Sequence, residues 1–199
     1  MGVGLDPNIA ANTVEQYLTQ PFYDTVIAPA AGGAVNLPLF STGTGNGVSA
    51  FGGAGVKTEA DTNLPPNGQL PVGWLHEAHA VALVGWSTTA TQALDTQLAI
   101  GGSVFRFELS TTRWFTIPAR RLTGGCGISG FGTTAAGAGI AHIGDAQASA
   151  VYPLAVPLVS SGGQSITSGL VWPGVGGSAA LTAAVPLSIF LEGQFKRRV

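Results

Sequence analysis

Three histidines, ten carboxylates and a single cysteine carry whatever acid–base, metal or nucleophilic chemistry this chain could perform. His76-Glu77-Ala78-His79 comes close to a zinc-binding helix motif, but that motif needs its histidines at i and i+4, and here they stand at i and i+3. The segment also leads into an expected strand, where i and i+3 face opposite sides. His142 would have to join them to give a third ligand. The nearest carboxylate pair, Glu59 and Asp61, falls in a polar loop, with nothing to set the separation that a glycosidase requires. A G-x-G-x-x-G pattern occurs once, at Gly125–Gly130, with Asp145 downstream where a ribose-binding acid would stand. No βαβ alternation surrounds it, and a chain with 30 glycines produces such a match by chance. Cys126 alone makes neither an intramolecular disulfide nor a multi-cysteine zinc site. There is no nucleophile elbow and no P-loop. The chain is therefore read as not an enzyme, with no catalytic, cofactor-binding or metal-binding residue assigned.

Aromatic and basic residues are the next candidates. Trp74, Trp86, Trp114 and Trp172 could stack on sugars, but each lies in or beside an expected strand, which favours core or interface anchoring. Arg106, Arg113, Arg120 and Arg121 are interleaved with Phe105, Phe107, Trp114 and Phe115. That cluster suits phosphate or, equally, planar contacts between subunits. The Lys196-Arg197-Arg198 run reads as a solvated end, or as a surface facing nucleic acid or a membrane inside a shell. The first 56 residues contain no Lys or Arg, so a basic arm threading into nucleic acid is absent and direct nucleic-acid binding is not expected.

The elements that must position these residues are mostly strands. Residues 12–18 predict a short helix in an N-terminal arm, capped by Asn12 with Glu15 three residues on. From residue 22 onward, short apolar or alternating runs are separated by Gly, Pro, Asn and Ser clusters. Expected strands cover 22–28, 34–40, 79–88, 94–101, 103–110, 113–119, 152–159, 165–172 and 185–195. In the last, Val185, Leu187, Ile189 and Leu191 share one face; Phe105, Phe107 and Leu109 do so around Arg106 and Glu108. Pro38, Pro118, Pro153, Pro157 and Pro186 mark edges and irregular strand ends. Residues 41–73 and 123–150 predict long Gly-rich loops.

Only 18 of the 199 residues are charged, against roughly a quarter in an average soluble domain, and mean hydropathy is +0.35. No membrane span accounts for this: the longest apolar run, 178–191, is short and broken by Pro186. The first sixteen residues lack the basic and apolar regions of a secretory leader. A soluble monomer needs a charged, patch-free surface. The deficit predicts that other subunits cover much of this one.

Three segments together resemble jelly-roll capsid proteins of icosahedral viruses, bacteriophages in particular. They are LDTQLAIGGSVFRFELSTTRWFTIPARRL, then YPLAVPLVSSGGQSITSGLVWP, then the closing VPLSIFLEGQFKRRV. The likeness covers roughly residues 79–199 and consists of strand patterns rather than signatures. It implies an all-β fold: a single eight-stranded jelly-roll sandwich over 31–199 with long Gly-rich loops, preceded by an N-terminal arm (1–30) with its short helix. The implied function is a structural virion protein, made in the host cytoplasm, that self-assembles into an icosahedral capsid through arm, loop and edge-strand contacts. Its partners would be copies of itself, with room for a second coat or penton protein and for contact with an internal membrane through the C-terminal basic run. A jelly-roll carbohydrate-binding lectin or adhesin is the alternative.

Overall fold

A computed structural model describes residues 15–30, 35–51, 55–86, 89–110, 112–122, 128–133, 139–143, 151–166, 168–172 and 181–198. Two antiparallel sheets pack as a sandwich with one short helix beside them. The strands of the first are β1 (Glu15–Thr19), β2 (Phe22–Ala28), β4 (Trp74–Gly85), β9 (Tyr152–Ser161) and β11 (Val185–Arg198). Those of the second are β3 (Val35–Leu39), β5 (Val104–Leu109), β6 (Thr112–Pro118) and β10 (Ser168–Trp172). A separate hairpin joins β7 (Ile128–Thr133) to β8 (Gly139–Ile143), and α1 spans Ala90–Gly102.

Alternation explains the sandwich. Val185, Leu187, Ile189 and Leu191 of β11 point inward and are fully buried. Phe105 and Phe107 of β5, with Leu170 and Trp172 of β10, meet them from the other sheet. Each such side chain removed from water contributes about 1.5–3 kcal/mol.

The pairing is nested. β5 pairs β6, β4 pairs β9, β3 pairs β10, and β1 with β2 pairs β11. β1 meets Gln194–Arg198 and β2 meets Val185–Leu191, so the two lie end to end along one long partner. The first sheet thus has four strand positions, ordered (β1, β2)-β11-β4-β9, beside the second, ordered β3-β10-β5-β6. Rolling this long hairpin over itself adds the β11–β4 and β10–β5 pairs. β6 and β9 are the last strands in their sheets.

Three local expectations are corrected. The arm helix over 12–18 is replaced, in its described part, by β1. A helix of under two turns cannot repay its nucleation cost, whereas pairing with β11 satisfies the backbone and packs Leu18 against the core. The expected strand at 94–101 is α1. Thr89 caps it, its side chain accepting from the Gln92 N–H at 3.2 Å. Ala93, Thr96, Ala99 and Ile100 then bury one helical face. The third concerns 123–150, expected as loop, which contains the β7–β8 hairpin. The described residues of 41–73 form the expected long loop, meeting β2 through a bridge between Asp24 and Thr62.

Candidate functional site

Among the described residues, those with chemical potential do not converge. His76 and His79 face opposite sides of β4: His76 is buried between Phe22 and Phe195, while His79 is exposed near Glu77. Burial lowers His76 to about 4; the Gln20 backbone offsets this only in part, and His79 adds to the lowering. Neither His76 ring nitrogen makes a well-formed hydrogen bond. His142 lies on β8, in the separate hairpin. Among the described residues no group of three or more His, Cys, Asp or Glu could hold a metal.

Asp61 is a fastener rather than half of an acid–base pair with Glu59. Its carboxylate accepts from Ala50 N–H at 2.6 Å, Ser49 hydroxyl at 2.7 Å and Thr58 N–H at 2.9 Å. Burial raises the Asp61 carboxyl, but the hydrogen bonds from Thr58, Ser49 and Ala50 outweigh it and hold the group below its ordinary value. Where the Gly125–Gly130 pattern falls on described residues it is strand β7, not the helix a dinucleotide needs. Gly125, Cys126, Gly127 and Asp145 lie outside the described residues.

The four tryptophans do not form a platform. Trp172 is core, and Trp74 packs edge-on against Phe195 under the Arg197 guanidinium. Trp86 stacks edge-on with Phe51 and donates to the Ser188 hydroxyl. Trp114 is 53% exposed on β6. The basic run at the C-terminus is strand rather than tail. Lys196 meets Glu77 at 3.0 Å and lies over Tyr17; Arg197 binds the Gln16 amide oxygen. Of the arginine cluster, Arg113 pairs with Glu108 at 2.7 Å, Arg120 reaches the Gly101 carbonyl, and Arg106 lines a pocket on the outer sheet face.

Among the described residues, exposed apolar surface is the most prominent feature. Between β6 and β9 runs an open groove of about 440 Å³, lined by Trp114, Phe115, Ile117, Tyr152, Leu154 and Val156, with no charged residue on its walls among the described residues. Val156 is 72% exposed. Pro118 on β6 and Pro153 and Pro157 on β9 remove backbone donors from these edges, which discourages addition of a further strand. Leu94 and Leu98 add a second apolar stripe, one turn apart on α1. Sequence reasoning did not single out the groove, because it exists only where two strands distant in the chain come together.

The chain matches no protein-family model, no curated protein and no solved structure.

Proposed function

We propose that this chain is a single jelly roll that assembles with copies of itself into an icosahedral capsid shell. The observation that carries the reading is the nested strand pairing. Eight strand positions in two sheets, ordered (β1, β2)-β11-β4-β9 and β3-β10-β5-β6, are what a long hairpin rolled into two Greek keys produces. Fold alone does not assign function. Surface composition supports the choice: the open groove, the α1 stripe and the charge-poor chain all suit burial against neighbours rather than water.

In this reading the partners are further copies, with place for a second coat or penton protein, and the protein resides in the virion after synthesis in the host cytoplasm. Direct genome binding is not part of it, because Lys196 and Arg197 are engaged within the subunit. The test is sedimentation velocity with negative-stain microscopy on purified protein over rising concentration. Closed particles of uniform size are expected. A stable monomer throughout, at physiological salt, would overturn the proposal.

A further inference from the structure

The outer face of the four-stranded sheet carries a polar pocket of about 350 Å³. Arg106 on β5 and Gly169 on β10 stand opposite each other in the strand register there. Asn36 lines the pocket from β3, Glu108 from β5 and Arg113 from β6. Gly169 leaves the floor open: a Cβ at that position would come within 3.1 Å of both the Asn36 side-chain oxygen and the Leu37 carbonyl.

Arg106 is half-buried, and its Nε is shielded from solvent without a hydrogen-bond partner. Among the described residues the Arg106 side chain makes no ion pair or hydrogen bond. Arg113 beside it is occupied by Glu108. A shielded donor left without a partner is rare in native proteins, and the guanidinium fork is shaped for a planar oxyanion.

We propose that this pocket binds a carboxylate, and that in the assembled protein the carboxylate is Glu59 of a neighbouring copy. The second clause rests on the self-assembly reading; the first does not. Charge favours a carboxylate over a phosphate. Two guanidiniums and the Glu108 carboxylate leave a single net positive charge, and a phosphate dianion would meet Glu108 with one free guanidinium to balance it.

Glu59 is the complement. It is exposed on the 41–73 loop, and its carboxylate has no ion pair or hydrogen bond among the described residues. Its backbone is held in place, since the Tyr23 hydroxyl donates to the Glu59 carbonyl at 2.5 Å. Tyr23 packs beside Phe190 on the outer face of the five-stranded sheet, whereas Arg106 lies on the outer face of the other sheet. Within one molecule the two side chains make no contact. The contact runs head to tail between copies, the type that builds rings and closed shells.

Two measurements decide the matter. In the first, acetate and inorganic phosphate are titrated into the full chain held below its assembly concentration, following the Arg106 Nε–H and Gly169 amide signals by NMR. Acetate should give a saturable shift, with phosphate and the Arg106→Lys variant each weaker by roughly fivefold. No saturable acetate shift, or tighter phosphate binding, overturns the site.

In the second, sedimentation velocity compares Arg106→Glu, Glu59→Arg and the double variant, each with an unchanged thermal melt. Each single variant should raise the assembly concentration about tenfold, and the double variant should restore it to within about threefold of the parent. Folded variants without rescue overturn the Glu59 assignment. A parent protein that never assembles removes both that assignment and the capsid reading, while the acetate titration still decides the pocket.

Discussion

Lys57 and Asp24 form an ion pair in the interior, Nζ to Oδ1 at 2.5 Å, that fastens the 41–73 loop to β2. The other Asp24 oxygen accepts from the Phe40 N–H at 2.7 Å. Phe40 itself sits in the left-handed region with φ of 57° and stacks on Phe22, so this one carboxylate also holds a disfavoured turn at the end of β3.

Burial pushes the Asp24 carboxyl above its ordinary value, with Lys57, Phe40 and Thr62 pulling it back in part. The folded protein thus holds a proton on Asp24 more tightly than the unfolded chain does, and this group's contribution to stability falls as pH rises. Lys57→Met removes the main counterweight. The expected loss is about 3–5 kcal/mol at neutral pH and less in mild acid, where a neutral carboxyl needs no cation. Urea unfolding of parent and variant at both pH values measures this; equal losses would contradict it.

His76 gives the opposite pH signature. It stays neutral in the folded protein down to about 4, whereas an ordinary histidine protonates near 6.5. Its contribution is complete above the higher value and is lost as pH falls through the interval, by about 3 kcal/mol in all. Replacing His76 with Leu should flatten that part of the stability curve. An unchanged slope in the variant would place the acid sensitivity elsewhere.

Gly193 marks the bulge where β11 shifts register against β4. A Cβ there would fall 1.9 Å from the Glu77 carbonyl oxygen, deep inside backbone contact. Gly193→Ala should therefore cost roughly 3 kcal/mol or more. Differential scanning calorimetry should show a clear drop in Tm; a melt like the parent's would mean that the strands can slide apart at no cost.

Trp114→Ser combined with Val156→Ser tests the open groove. Both side chains are more than half exposed, so subunit stability should change by about 0.5 kcal/mol or less. Association should weaken by about tenfold or more. Sedimentation alongside a thermal melt separates the two effects. Unchanged association would exclude the groove as a subunit contact.

The strands were legible where one face is predominantly apolar. Phe22–Ala28, the Phe105-Phe107-Leu109 face and the Val185–Leu191 alternation all read correctly, because a period of two survives without knowledge of the partner. Glu15–Thr19 did not, since what makes it a strand is Gln194–Arg198 at the far end of the sequence. In α1, the alternating Leu94, Thr96 and Leu98 imitated a strand. The signal that mattered was Thr89, which caps the helix, together with Asp95, whose buried carboxylate accepts from Thr182 and Ala183 ahead of β11.

The site was legible only as a list of members. Arg106 and Arg113 stood out as a basic cluster, but that Glu108 occupies one and leaves the other unpaired depends on the bulge in the β5–β6 pairing.

Nested pairing also orders events in time. β5 and β6 are neighbours in sequence, while β1 pairs with β11 from the far end of the chain. Contacts so distant in sequence form slowly, and a rolled hairpin of this kind should zip from the β5–β6 bend toward the chain ends. Pulse-labelling hydrogen exchange should then protect β5 and β6 before β1. Such an order would build a delay into folding: β1, at the edge of the first sheet, would join last.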